Sequence, residues 1–177
     1  MTTNLPEPWL RGPVPEIPPL LQPAAHAFIM SREDVEAAAA GLTVEELWSE
    51  PGGIASVGFH LAHLTGSTDR LLTYARGAAL SEGQRETLAR ERMLSTERPA
   101  LADLIAAWND MVGKALDQLA STCDATLLQP RLVGRQQLPS TVSGLMFHAA
   151  EHASRHTGQI VTTAKLIRGT RSPRVPL

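Results

Sequence analysis

Phe147-His148-Ala149-Ala150-Glu151-His152-Ala153-Ser154-Arg155-His156-Thr157-Gly158-Gln159-Ile160 sets three histidines four residues apart in a helix-favouring run. On an α-helix, residues i and i+4 stand one above the other on one face. His148, His152 and His156 therefore form a ladder that precesses by about 40° per step. Two neighbours in that ladder can close on one metal ion through their imidazole nitrogens, the geometry used by the i, i+4 histidines of zinc proteases. The Glu that follows the first histidine in that motif is absent, since Ala153 follows His152. The run thus argues for a helix-borne histidine site and against that protease class. A single histidine on a helix is ordinarily a hydrogen-bonded structural residue. Three of the chain's six in one register shift the reading toward a metal.

A second cluster lies far upstream, in Phe59-His60-Leu61-Ala62-His63-Leu64-Thr65-Gly66-Ser67-Thr68-Asp69-Arg70-Leu71. Phe59, His63, Ser67 and Arg70 share one helical face, and Asp69 lies about 120° off the His63 direction. Ser67 can hold a water or a substrate oxygen on that wall. Arg70 can neutralise an anionic substrate or pair with a carboxylate.

A helical His-Leu followed by Arg-Leu, then a late helix with His152-x3-His156-Thr-Gly-Gln-Ile, resembles the DinB-like (DinB/YfiT-like) superfamily of metal-dependent enzymes. The resemblance runs from about Leu20 to Gly169, with Thr157 standing where the family usually has Arg. It implies an all-α, four-helix bundle of up-down-down-up type. It also implies a divalent metal held by one histidine of the second long helix and two of the fourth, here His63, His152 and His156. His60 competes with His63, which is preferred because Arg70 follows it by seven. His60 and His148 are then expected as neighbours of the ligands. Family members with assigned functions include thiol-dependent S-transferases and a maleylpyruvate isomerase. The resemblance therefore implies a low-molecular-weight thiol as co-substrate, with Ser67 and Arg70 as catalytic candidates. A metal-dependent hydrolase and a non-enzymatic, metal-binding helical dimer of a stress response are the alternatives. Imidazole suits both Zn²⁺ and Ni²⁺.

Outward from the two clusters, 177 residues fit one domain, and a chain this long buries about 70% of its unfolded surface without staples. A 43% hydrophobic, 19% charged composition with net charge −2 is that of a globular protein without the basic face of a nucleic-acid binder. The lone Cys123 excludes a disulfide framework, and no apolar run reaches the roughly 18 residues of a membrane span. No signal peptide is read, so a reducing cytoplasm is expected. The partner is expected to be a small-molecule substrate, with no nucleic acid or membrane, and the chain to pair as a homodimer.

Residues 1–19 hold six prolines and read as an extended arm, either pinned by Trp9 and Leu10 or loose. Residues 20–169 form the domain and 170–177 a loose tail. Helices are expected over Leu20–Ala40, Ser56–Arg76, Pro99–Leu119 and Ser140–Arg168, with Ser140 as N-cap and Gly169 as terminator of the last. Thr43-Val44-Glu45-Glu46 reads as a capping box. The mixed-charge stretch 77–98 reads as a solvated helix or helix-and-loop insertion. Residues 121–139 read as a long loop and a candidate cover for the site. Glu151, about 100° from His152 around the helix, is expected to pair with Arg155 rather than act as a base.

Overall fold

In a computed structural model that describes residues 6–171, the chain is mostly helical with one small hairpin. The helices and strands, in order, are α1 (Gln22–Ala39), α2 (Val44–Leu47), α3 (Val57–Ala75), α4 (Glu82–Arg90), α5 (Leu94–Glu97), α6 (Leu101–Ala120), β1 (Pro130–Val133), β2 (Leu138–Thr141) and α7 (Val142–Arg171). Pro23 sits in the first turn of α1, where its missing N–H is no loss. Phe28, Ser31, Val35 and Ala38 then recur at helical spacing on the buried face. The capping box forms: Thr43 Oγ1 accepts from Glu46 N–H and Glu46 Oε2 accepts from Thr43 N–H. Ser56 caps α3 with its hydroxyl oxygen alone, which accepts from Phe59 N–H. Trp48 lies flat on α3 at Gly58, where any Cβ would come within 2.7 Å of the indole.

The long helices α1, α3, α6 and α7 carry the core. Each of α6 and α7 packs against both α1 and α3. Their facing stripes include Phe28 and Val35 of α1, Leu61, Leu64 and Leu72 of α3, Trp108, Val112 and Leu119 of α6, and Met146, Ala153 and Ile160 of α7, all fully buried. Between α1 and α7, Ser31 Oγ and Thr157 Oγ1 meet at 2.6 Å. Among the described residues no helix is long and apolar enough to cross a membrane.

Several expectations need correction. The described part of the arm is held on α1, but Trp9 and Leu10 are more than half exposed. Arg11 instead pairs with Glu33, Gln22 bonds the backbone of Val14 and Ile17, and Ile17 is buried. Residues 121–139 are not all loop: β1 and β2 pair antiparallel, with Arg131 opposite Ser140 and Val133 opposite Leu138. Each strand contains a proline, and a two-stranded hairpin has two free edges where a missing N–H is tolerated. This hairpin packs at the C-terminal end of α3, where Arg131 Nε donates to Ala75 O at 2.8 Å, and so does not cover the histidines. That end is about 18 Å along the helix from His63. The cap of α7 is Thr141, the last residue of β2, and not Ser140: Thr141 Oγ1 accepts from Gly144 N–H at 3.0 Å. Gly169 does not end α7, which continues to Arg171. Finally, the stretch 77–98 is not wholly solvated, since Glu91 is buried. The tail expectation for 172–177 lies outside the described residues.

Candidate metal centre

The packing of α3 on α7 brings the two histidine clusters together. His63, His152 and His156 each offer one ring nitrogen, and these atoms all lie within 4.8 Å of one another. His63 Nε2 and His152 Nε2 are 3.2 Å apart. Two imidazoles sharing a tetrahedral ion at about 2.05 Å would set their nitrogens about 3.3 Å apart. The pair thus already has the separation of two ligands on one ion.

The protons support the same fit. His63 Nδ1 is 2.9 Å from Glu91 Oε2, and an ionised carboxylate can only accept. His63 therefore carries its hydrogen on Nδ1 and offers the Nε2 lone pair to the cluster. Burial pushes the Glu91 carboxyl upward, but the hydrogen bonds from His63 and Arg70 and the Arg70 charge outweigh it and hold the group below the usual carboxylate range. His156 Nδ1 lies 3.0 Å from His60 Nδ1. When His156 donates in that pair, its Nε2 is the nitrogen left to bind an ion. Burial, then the neighbouring imidazoles, depresses His60 and His152 and pushes His156 down to about 4. These rings stay neutral near pH 7, the form that ligates metal. Phe59 stacks parallel on His63, 6° between planes at 5.7 Å, and walls one side.

Glu91, on the turn that follows α4, is the residue that sequence reading passed over. It is 8% exposed and bonds both His63 and Arg70. Its signal was indirect. Gly66 sits in the middle of α3, where glycine costs about 1 kcal/mol relative to alanine, and it stands four residues before Arg70. A Cβ at Gly66 would lie 2.8 Å from both Arg70 Nη1 and Glu91 Oε1. The glycine makes room for the ion pair.

The remaining candidates fall as follows. Of the two roles open to Arg70, the structure contains the carboxylate pair, at 2.7 Å to Glu91. Ser67 is buried and its hydroxyl donates to Leu64 O in its own helix. His148 is half exposed, 3.4 Å from Glu151, and outside the ligand cluster. Glu151 pairs with Arg155, as the helical spacing predicts. Asp69 accepts from Gln84, away from the histidines. A groove of about 670 Å³ lined by His60, Arg155, Gln159 and Thr163 lies against the His60 side. A smaller one of about 210 Å³, lined by Ala62, Arg90 and Glu91, lies on the other.

The family model of the DinB superfamily matches residues 27–160, a span that begins within α1 and includes both histidine clusters. Comparison with curated proteins yields no match. The one departure noted in the late motif has a visible setting: Thr157 is 5% exposed and bonded to Ser31, in a place with no room for a solvated guanidinium. The match covers most of the chain and contains the histidines that the fold gathers, and the chain belongs to the DinB superfamily.

Proposed function

We propose that this protein is a metal-dependent enzyme that transfers a low-molecular-weight thiol to an electrophilic small molecule. In this reading His63, His152 and His156 hold one Zn²⁺ or Ni²⁺ ion. When bound, the ion supplies Lewis acidity and lowers the pKa of a thiol at its open position. The observation that carries the reading is the charge and proton state of the donor set. Three neutral imidazoles leave the ion's charge uncompensated, which favours an anionic further ligand, and a thiolate is both anionic and soft. A hydrolase would need a general base beside a metal-bound water. The carboxylates Glu91 and Glu151 are engaged, Glu91 by His63 and Arg70, Glu151 by Arg155 and His148.

The chain's own residues then divide the work. Glu91 holds the proton on His63 Nδ1, and Arg70 keeps Glu91 ionised and in place, so Arg70 acts through Glu91. His60 fixes the ring of His156. Ser67, which keeps acceptor capacity after donating to Leu64, is the polar group on the His63 wall that can accept from a substrate hydroxyl or a water. In the transfer, sulfur forms a bond to the electrophilic carbon, the leaving group departs with its electron pair, and the thiol proton goes to solvent. The thiol must come from a free molecule, because Cys123 lies with Ala75 and Arg76 near the far end of α3. The same reading takes the four long helices, over residues 20–169, as a four-helix bundle of up-down-down-up type flanked by arm and tail. The packing of α6 and α7 on α1 and α3 supports it.

The test incubates metal-loaded protein with a panel of low-molecular-weight thiols and monobromobimane. Thiol-dependent conjugation above a His152→Ala control is expected. No conjugation above that control, alongside clear ester or amide hydrolysis, would contradict the reading.

A further inference from the structure

A cavity of about 760 Å³, larger than either groove beside the histidines, lies between the end of α3, one face of α4 and the β1–β2 hairpin. Ligand pockets commonly span about 300–1,000 Å³. Its apolar lining includes Tyr74, Leu88 and Leu132, and the last two are 42% and 55% exposed. Its charged lining is Arg85, Arg131 and Arg135, with no carboxylate among the lining residues. The hydrogen-bond partners of these arginines are neutral. Arg85 donates to Leu80 O, and Arg131 donates to Ala75 O, Pro130 O and Gln129 Oε1. Arg135 has no side-chain partner among the described residues. The negative end of the α3 dipole offsets part of the charge on Arg131. Arg85 and Arg135 have no such offset and come from different elements, α4 and the hairpin turn.

We propose that this cavity binds a small organic anion with an apolar body, such as an aryl or alkyl carboxylate, sulfonate or phosphate. The apolar body would lie on Tyr74, Leu88 and Leu132, and the anionic group would be met by Arg85 and Arg135. A guanidinium pairs with such oxygens in a planar, two-point fashion that ammonium groups do not reproduce. A cavity of this size with an apolar lining favours a small molecule over a polymer. The site is separate from the metal centre, since Tyr74 follows His63 by eleven residues, about 16 Å along α3. It therefore stands or falls independently of the transferase reading.

The experiment titrates the full chain with 1-anilinonaphthalene-8-sulfonate and follows dye fluorescence. Its uncharged relative N-phenyl-1-naphthylamine is run in parallel, and circular dichroism verifies that each variant is folded. Wild type is expected to bind the sulfonate at least tenfold more tightly than the uncharged dye. Arg85→Glu with Arg135→Glu should weaken sulfonate binding at least tenfold. Arg135→Glu alone, at an exposed hairpin turn where folding is not at stake, should weaken it severalfold. Saturation with Ni²⁺ should leave the titration unchanged. Equal binding of the two dyes, no effect of Arg135→Glu, or displacement of the dye by Ni²⁺ would each overturn the proposal.

Discussion

Glu91 concentrates the chemistry of this chain at the scale of single residues. One carboxylate accepts from His63 at 2.9 Å and from Arg70 at 2.7 Å, and Gly66 leaves the space for both. Groups that orient a metal-bound imidazole in this way typically contribute 10- to 100-fold to metal affinity. Glu91→Gln is therefore expected to weaken Zn²⁺ binding by about one order of magnitude, because its amide can present either face to His63 Nδ1. His60→Ala should weaken it by a similar or smaller factor, while His63→Ala abolishes it. Isothermal titration calorimetry ranks the three, and loss of binding in His60→Ala with retention in His63→Ala would reverse the ligand assignment. Metal-free protein should also respond to pH. His156 is pushed from 6.5 down to about 4 by burial and by its imidazole neighbours. As pH falls, the unfolded chain takes up this proton before the folded one does. Stability from this group is thus complete above about pH 6.5 and is lost as pH falls toward 4. His60 and His152 act in the same direction. Urea midpoints measured from pH 7.5 to 4 should decline through that window, and a midpoint flat across it would count against the neutral cluster.

Helices and hairpin differ in how plainly the sequence announces them. The buried faces of α1, α3 and α6 follow the 3.6-residue period, and α2 and α3 begin at side-chain caps, Thr43 and Ser56. The hairpin is not legible in this way, because its strands are four residues long and each contains a proline. What holds it is tertiary: Arg131 bonding the last turn of α3. Missing the hairpin also shifted the cap of α7 by one residue. Thr141→Ala should cost about 1 kcal/mol through loss of the bond to Gly144 N–H, whereas Ser140→Ala should be close to neutral. Urea denaturation of the two variants distinguishes them, and the opposite order would place the cap at Ser140.

For the whole molecule, helical character was legible in local spacing, and the family and its three implied histidines were legible in the motif that resembles the DinB superfamily. The partners of those histidines were not. Glu91 lies 28 residues from His63 in sequence, and no periodicity connects a turn after α4 to the middle of α3. Several large apolar side chains also stay exposed on the fold: Leu20 at 71%, Phe147 at 66% and Trp9 at 58%. We propose that the chain pairs with a second copy. Sedimentation equilibrium should give the mass of two chains at micromolar concentration, and one chain's mass at all concentrations would exclude the homodimer.

The metal itself is the most direct test, because every role assigned to His63, His152, His156, Glu91 and His60 depends on it. Untagged protein, loaded with Zn²⁺ and passed through a desalting column, is submitted to elemental analysis beside His63→Ala, His152→Ala and His148→Ala. About one ion per chain is expected in wild type and His148→Ala, as for a single three-histidine site, with almost none in the other two. A wild type that retains no metal, or a His63→Ala and His152→Ala that retain it fully, would contradict the account.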